Sequence, residues 1–131
     1  MKKILIVDDH PEIRDLLRMT LELAQSFSMS EASNAAEALE LVRKDCPELI
    51  LMDVMLPGGM SGLEACRQIR QMPEAQPTPK VIIVSARPFE DLRAEFEASG
   101  ADLFIAKPFG PMQLVQGISS LYATHGDNPT P

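Results

Sequence analysis

Four short apolar runs in this chain stop abruptly at residues that carry chemistry. Ile4-Leu5-Ile6-Val7 runs into Asp8-Asp9, Leu49-Ile50-Leu51-Met52 into Asp53, Val81-Ile82-Ile83-Val84 into Ser85, and Leu103-Phe104-Ile105-Ala106 into Lys107-Pro108. Runs this short, bounded by turn residues, read as strands buried on both faces. A fifth, weaker segment, Ser26 to Ala32, sets Phe27, Met29 and Glu31 against three serines, a pattern suited to a sheet edge. These five segments alternate with five stretches of helical periodicity, the signature of βα repeats and a parallel α/β sheet. Parallel strands present their carboxyl ends on one rim, where open α/β sheets place their ligands. Three carboxylates, a hydroxyl and an ammonium are therefore expected together.

At 131 residues the chain suits one domain, expected over residues 1–125, with 126–131 as a disordered tail. No apolar run reaches the length that spans a bilayer, and the stretch after Met1-Lys2-Lys3 is too short for a signal peptide. Cys46 and Cys66 form no CxxC or metal-ligand spacing, so reduced thiols in a cytoplasmic protein are expected. The net charge of −7 argues against nucleic acid as a partner of the bulk field.

Taken in order, the first strand covers about Lys3 to Val7. The first helix follows Pro11, with Ile13, Leu16, Leu17, Leu21 and Ala24 on its apolar face. The second helix, Ala35 to Lys44, is capped by Asn34 or Ser33. Ser61 or Gly62 opens the third, which packs through Leu63, Cys66 and Ile69. Gln71 to Pro79 holds three prolines and reads as a surface connection. The fourth helix, entered at Pro88, has a narrow apolar face (Phe89, Leu92, Phe96) and is expected to be lightly packed and open to partners. Gly100 suits a helix stop, and the fifth strand runs from about Asp102 to Ala106. Pro111 suits the first turn of a last helix packed through Leu114, Val115, Ile118 and Leu121.

Three aspartates in one pocket repel each other unless a cation sits among them, and oxygen ligands with room for water suit Mg²⁺ better than zinc. A central carboxylate there can attack phosphorus and form an aspartyl phosphate. Catalysis of such a transfer is mostly charge stabilisation, for which Lys107, a hydroxyl from Ser85 and the metal are suited.

Over residues 3 to 123 the chain resembles a response-regulator receiver domain. The motifs are Ile-Val-Asp8-Asp9-His, Leu-Met-Asp53-Val-Met-Leu-Pro57, Val-Ser85-Ala86, and Gly100-Ala101-Asp102 through Lys107-Pro108-Phe109. The resemblance implies a flavodoxin-like (βα)5 fold with strand order 2-1-3-4-5. It makes Asp53 the phosphoacceptor, with Asp8, Asp9, Asp53 and the Met55 backbone carbonyl around Mg²⁺, Asp8 largely through water. It pairs Lys107 with the phosphoryl group, makes the bond to Pro108 cis, and assigns Ser85 and Phe104 to a switch that reshapes the surface of the fourth helix, fifth strand and fifth helix. It gives the flanking Met55 and Arg87 the tuning of the aspartyl phosphate's lifetime. The implied donor is a sensor histidine kinase or a histidine phosphotransfer protein, and the output is a downstream protein rather than direct nucleic acid or membrane binding.

Three features depart from the commonest family pattern. The turn Gly58-Gly59-Met60-Ser61-Gly62 is one residue longer, Met55 and Arg87 flank the site, and Leu103 and Gly117 stand where dimerising members carry an acid and an arginine. A monomer or weak dimer is expected. A stand-alone regulator or relay shuttle is favoured by the lack of any output-like segment after the last helix, while the Gly-Gly turn and Pro-containing tail leave a module cut from a hybrid kinase or multidomain regulator open. A haloacid-dehalogenase-like phosphatase needs a second aspartate two residues after the first, and Met55 stands there. Taken singly, Asp8-Asp9 could cap the first helix, Asp53 could be a turn residue, Ser85 could cap the fourth helix, Lys107 could be a solvated charge and Phe104 ordinary core; their joint placement at strand ends is what favours chemistry. His10 and His125 read as surface residues.

Overall fold

A computed structural model describes residues 2–24, 27–75 and 78–124. The elements are β1 (Lys2–Val7), α1 (Pro11–Ala24), β2 (Phe27–Ala32), α2 (Ala35–Asp45), β3 (Leu49–Met52), α3 (Gly62–Arg70), β4 (Lys80–Ser85), α4 (Phe89–Ser99), β5 (Leu103–Ala106) and α5 (Pro111–Thr124). All strand pairings are parallel and the order is β2-β1-β3-β4-β5, a flavodoxin-like α/β sheet with the serine-rich strand at an edge.

The alternation along each strand sorts side chains into two cores. Leu5, Val7, Ile50, Met52, Val81 and Ile83 pack with α2, α3 and α4. Ile4, Ile6, Leu49, Leu51, Ile82 and Val84 pack with Leu17 and Leu21 of α1 and Leu114, Ile118 and Leu121 of α5. Each fully buried aliphatic side chain contributes about 1.5–3 kcal/mol, so apolar runs without a polar position are what a sheet covered on both sides requires.

Several expectations need correction. Leu16 is 45% exposed rather than on the buried face of α1. Leu17, Thr20 and Leu21 hold that face, and the Thr20 hydroxyl donates to the Leu16 carbonyl at 2.8 Å, which makes a buried hydroxyl tolerable. β5 begins at Leu103, one residue after the expected start, although the Asp102 amide still donates to the Val81 carbonyl at 2.9 Å while its carboxylate accepts from the Val81 amide at 2.8 Å. The connection after α3 is not all surface: Met72, Ala75 and Pro79 are buried. The alternative role for Ser85, a cap on α4, is not what the fold shows: the cap position is Pro88, with no side-chain bond. Ser26, His125, the expected tail 126–131 and the side chain of Ala24 lie outside the described residues.

Candidate functional site

Register decides which strand ends meet. Val7 pairs with Met52 and Met52 with Ile83, while Ser85 pairs with Ala106. The ladder continues one residue past the strands: the Asp53 amide donates to the Val7 carbonyl at 2.9 Å and the Lys107 amide to the Ser85 carbonyl at 2.8 Å. Asp8 and Asp53 are thus fixed on neighbouring strand ends through their backbones, and Lys107 stands beyond β4, at the end of β5, with its side chain reaching back toward them.

The Lys107 ammonium bridges the two acids, 2.8 Å from Asp8 Oδ2 and 3.3 Å from Asp53 Oδ2. Asp53 Oδ1 accepts from the Val54 amide at 2.7 Å. Asp8 Oδ1 accepts from the His10 amide at 2.9 Å and meets His10 Nδ1 at 3.0 Å. The same ring nitrogen lies 3.2 Å from Asp9 Oδ1. Arg14 braces the rim from α1, with Nη1 donating to the Asp8 carbonyl at 2.7 Å and Nε to Glu31 of β2 at 2.8 Å.

Asp53 owes its position also to Gly62. A Cβ at residue 62 would overlap the Asp53 carbonyl oxygen, and the Gly62 amide donates to the Val54 carbonyl at 2.9 Å. The turn between them takes positive φ at Gly58 and Gly59, conformations that glycine adopts without a Cβ penalty. Ser61 then caps α3 by accepting from the Glu64 amide at 3.1 Å.

Burial pushes the Asp53 carboxyl above its ordinary range; the Lys107 charge opposes this, and the neighbouring Asp8 adds to it. Asp8 is also pushed up by burial, but its bonds from Lys107 and His10 outweigh that and leave it below the usual value. Burial works against the Lys107 charge too, and is overcome by the two carboxylates, so the ammonium is held above its ordinary range. His10 is raised by its bond to Asp8 and by the charge of Asp9.

One ligand atom from each of Asp8, Asp9, His10 and Asp53 lies within 4.8 Å of the others. Three carboxylates face one ammonium, so the pocket is left with surplus negative charge and oxygen donors, which fits a hard divalent cation.

The structure therefore brings together Asp8, Asp9, Asp53 and Lys107. Among the described residues no hydrogen bond joins the side chains of Ser85, Arg87, Met55 or Phe104 to that cluster. The Ser85 hydroxyl is fully buried and accepts from the Arg87 amide at 3.1 Å. Met55 is exposed. Phe104 is half-buried in a three-ring cluster, 5.1 Å from Phe89 and 6.0 Å from Phe96 between ring centroids. The Lys107–Pro108 peptide is cis. His10, Arg14 and Gly62 escaped the sequence reading as site residues. The spacing Asp8-x-His10 was a usable signal for the first, and a glycine directly after a capping serine for the last.

A sequence model of the response regulator receiver domain matches residues 4–119. The chain belongs to that family. This receiver is 41% identical over 119 residues to the transcriptional regulatory protein ResD of Bacillus subtilis, covering 91% of this chain and 47% of that protein. It thus spans about half the length of the curated relatives it matches. Among solved structures it is similar to a CheY-like receiver domain protein of Methanospirillum hungatei, with TM-score 0.84, 28% identity and coverage of 96% and 97% of the two chains. It also shares the fold of the receiver domain of a sensor histidine kinase from Pseudomonas aeruginosa, with TM-score 0.80, 23% identity and coverage of 91% and 95%; that protein has a magnesium ion coordinated in its active-site cleft. The receiver is thereby a signalling module of two-component systems. Among the described residues no helix is long and apolar enough to cross a membrane.

Proposed function

We propose that Asp53 accepts a phosphoryl group from the phosphohistidine of a sensor histidine kinase or histidine phosphotransfer protein. The observation that carries this reading is the Lys107 ammonium held between the Asp8 and Asp53 carboxylates at the carboxyl rim of the sheet. An Asp53 carboxylate oxygen bonds to phosphorus while the P–N bond to the donor imidazole breaks. The electron pair leaves with the imidazole, which takes up a proton. Lys107 neutralises a phosphoryl oxygen as the group arrives, and the Ser85 hydroxyl turns to donate to another. Asp8, Asp9, Asp53 and the Met55 carbonyl hold Mg²⁺, which when bound supplies the remaining charge neutralisation at the transferring group.

Ser85 and Phe104 then act as the switch, and the face of α4, β5 and α5 is the surface a downstream protein reads. Support comes from α4 itself, which fully buries only Leu92 and Ser99 and meets Phe104 through the rings of Phe89 and Phe96, so a movement of Phe104 reaches this helix directly. Met55 and Arg87 flank the site and set water access. The receiver unit spans residues 1–125 and works in the cytoplasm as a monomer or weak dimer. A second reading, a receiver module within a multidomain regulator, is favoured by the partial coverage of ResD.

Incubation with a small phosphodonor and Mg²⁺ is expected to add one phosphoryl group to the wild-type protein and none to Asp53→Asn, read by intact mass. Undiminished labelling of the variant removes Asp53 from its role.

A further inference from the structure

The receiver site carries a nitrogen donor beside its oxygens. His10 follows the acidic pair directly, and its Nδ1 lies 3.0 Å from Asp8 Oδ1 and 3.2 Å from Asp9 Oδ1. Lys107 occupies the other oxygens, Asp8 Oδ2 and Asp53 Oδ2, so the ammonium and the imidazole approach from different sides of the Asp8 carboxylate. The Asp8, Asp9, His10 and Asp53 ligand atoms all lie within 4.8 Å of one another, close enough that a slight closing of the side chains brings the four donors around a single divalent ion. The ring is 60% exposed, so most of its surface is free of packing; Nδ1 donates to the carboxylates here and turns its lone pair to a metal by giving up that proton.

We propose that His10 Nδ1 is a metal ligand of this pocket, which gives the site affinity for divalent transition ions of the Co²⁺, Ni²⁺ and Zn²⁺ class beyond what its aspartates supply. The inference rests on the cation site proposed above. The chemistry behind it is ligand softness. Mg²⁺ gains little from an imidazole, whereas borderline transition ions gain much, so one nitrogen changes the order of preference at an otherwise oxygen site. The consequence is a rival occupant for the Mg²⁺ position, one that couples the receiver to transition-metal supply.

The test is calorimetric titration of the full chain with MgCl₂ and, separately, NiCl₂, for wild type, His10→Ala and Asp9→Asn. Loss of even an outer-shell partner costs 10–100-fold in metal affinity, so His10→Ala is expected to weaken Ni²⁺ binding by about 10-fold or more. Its Mg²⁺ affinity is expected to stay within about 2-fold, since Mg²⁺ favours oxygen donors. A ¹⁵N spectrum of histidine-labelled protein with Zn²⁺ gives a second readout: the Nδ1 resonance that disappears in His10→Ala is expected to shift on addition of metal. Equal Ni²⁺ affinity in wild type and His10→Ala, with Asp9→Asn weakened for both ions, overturns the role of His10 and leaves the cation site standing. Absence of Mg²⁺ binding to the wild type, unaltered by Asp9→Asn, overturns the cation site and the inference with it.

Discussion

Asp8 and Asp53 share one ammonium, yet their carboxyls move in opposite directions, because Asp8 also collects two contacts from His10 whereas Asp53 gains only the Val54 amide. The folded protein holds the Asp53 proton more tightly than the unfolded chain does. Stability is therefore gained as pH falls through the raised Asp53 value, and above it the charged carboxylate is a burden. Asp53→Asn is expected to raise the melting temperature at neutral pH, with the difference from wild type closing as the pH falls through the Asp53 titration. Asp8 runs the other way. Its contribution is present above the ordinary carboxylate value of 3.8 and is lost as pH falls through its lowered folded value. Thermal unfolding of both asparagine variants across that range checks the signs; a destabilised Asp53→Asn at neutral pH contradicts the argument. Gly62 supplies a purely steric case. Gly62→Ala forces a methyl onto the Asp53 carbonyl and is expected to cost about 1–3 kcal/mol in chemical denaturation. It should also slow phosphorylation by the small donor, because the displaced backbone carries the acceptor.

At the scale of elements, the cap of α2 joins three residues in a reciprocal pair. The Glu37 amide donates to Asn34 Oδ1 at 2.8 Å, and Glu37 Oε1 accepts from the Ser33 amide at 2.8 Å. Asn34→Ala is expected to lower stability by about 1 kcal/mol in urea titration, with the denaturant slope unchanged. That cap was legible from Ser33-Asn34 preceding an apolar period, as were the central strands from their unbroken apolar runs. What stayed illegible depends on partners distant in the chain. Leu16 carries an apolar side chain at a helical spacing that suits the core, but α1 turns Leu17, Thr20 and Leu21 inward instead. Glu31 read as one polar position on an edge strand, while the fold gives it both Arg14 and Arg18 as partners at 2.6–2.9 Å. The end of α2 is a local surprise: Cys46 takes φ of 49° where a glycine is the usual occupant, and its amide donates to the Val42 carbonyl. The acids and the lysine of the site were readable because strand ends project to one rim whatever the details of packing, whereas the approach of His10 to two carboxylates depends on the path of the loop before α1.

Across the whole molecule, the site and a second polar centre sit on opposite rims of the sheet. At the amino-terminal rim the Arg70 guanidinium spans three segments: Nε donates to the Gly100 carbonyl at 2.9 Å, Nη1 to the Pro79 carbonyl at 2.5 Å and Nη2 to Asp102 Oδ2 at 2.8 Å. Asp102 in turn accepts from the Val81 amide, so one charge pair ties the end of α3 to the starts of β4 and β5. Arg70→Ala leaves the Asp102 carboxylate without its countercharge and two carbonyls without a donor. Bonds involving a charged group contribute about 1.5–3 kcal/mol each at most, and water reaches this partly exposed pair, so a loss toward the lower end of that range is expected in chemical denaturation. The rate of phosphorylation by a small donor, measured where the variant is fully folded, should equal that of wild type. The reason is the sheet itself: its central strands are buried on both faces and hold the two rims in fixed register, so loosening one rim lowers the stability of the whole without moving Asp53 against Lys107. A variant that stays stable but loses phosphoacceptance would show instead that the rims are coupled through β4 and β5, and that the site is positioned from the far end of the strands rather than by its own backbone bonds.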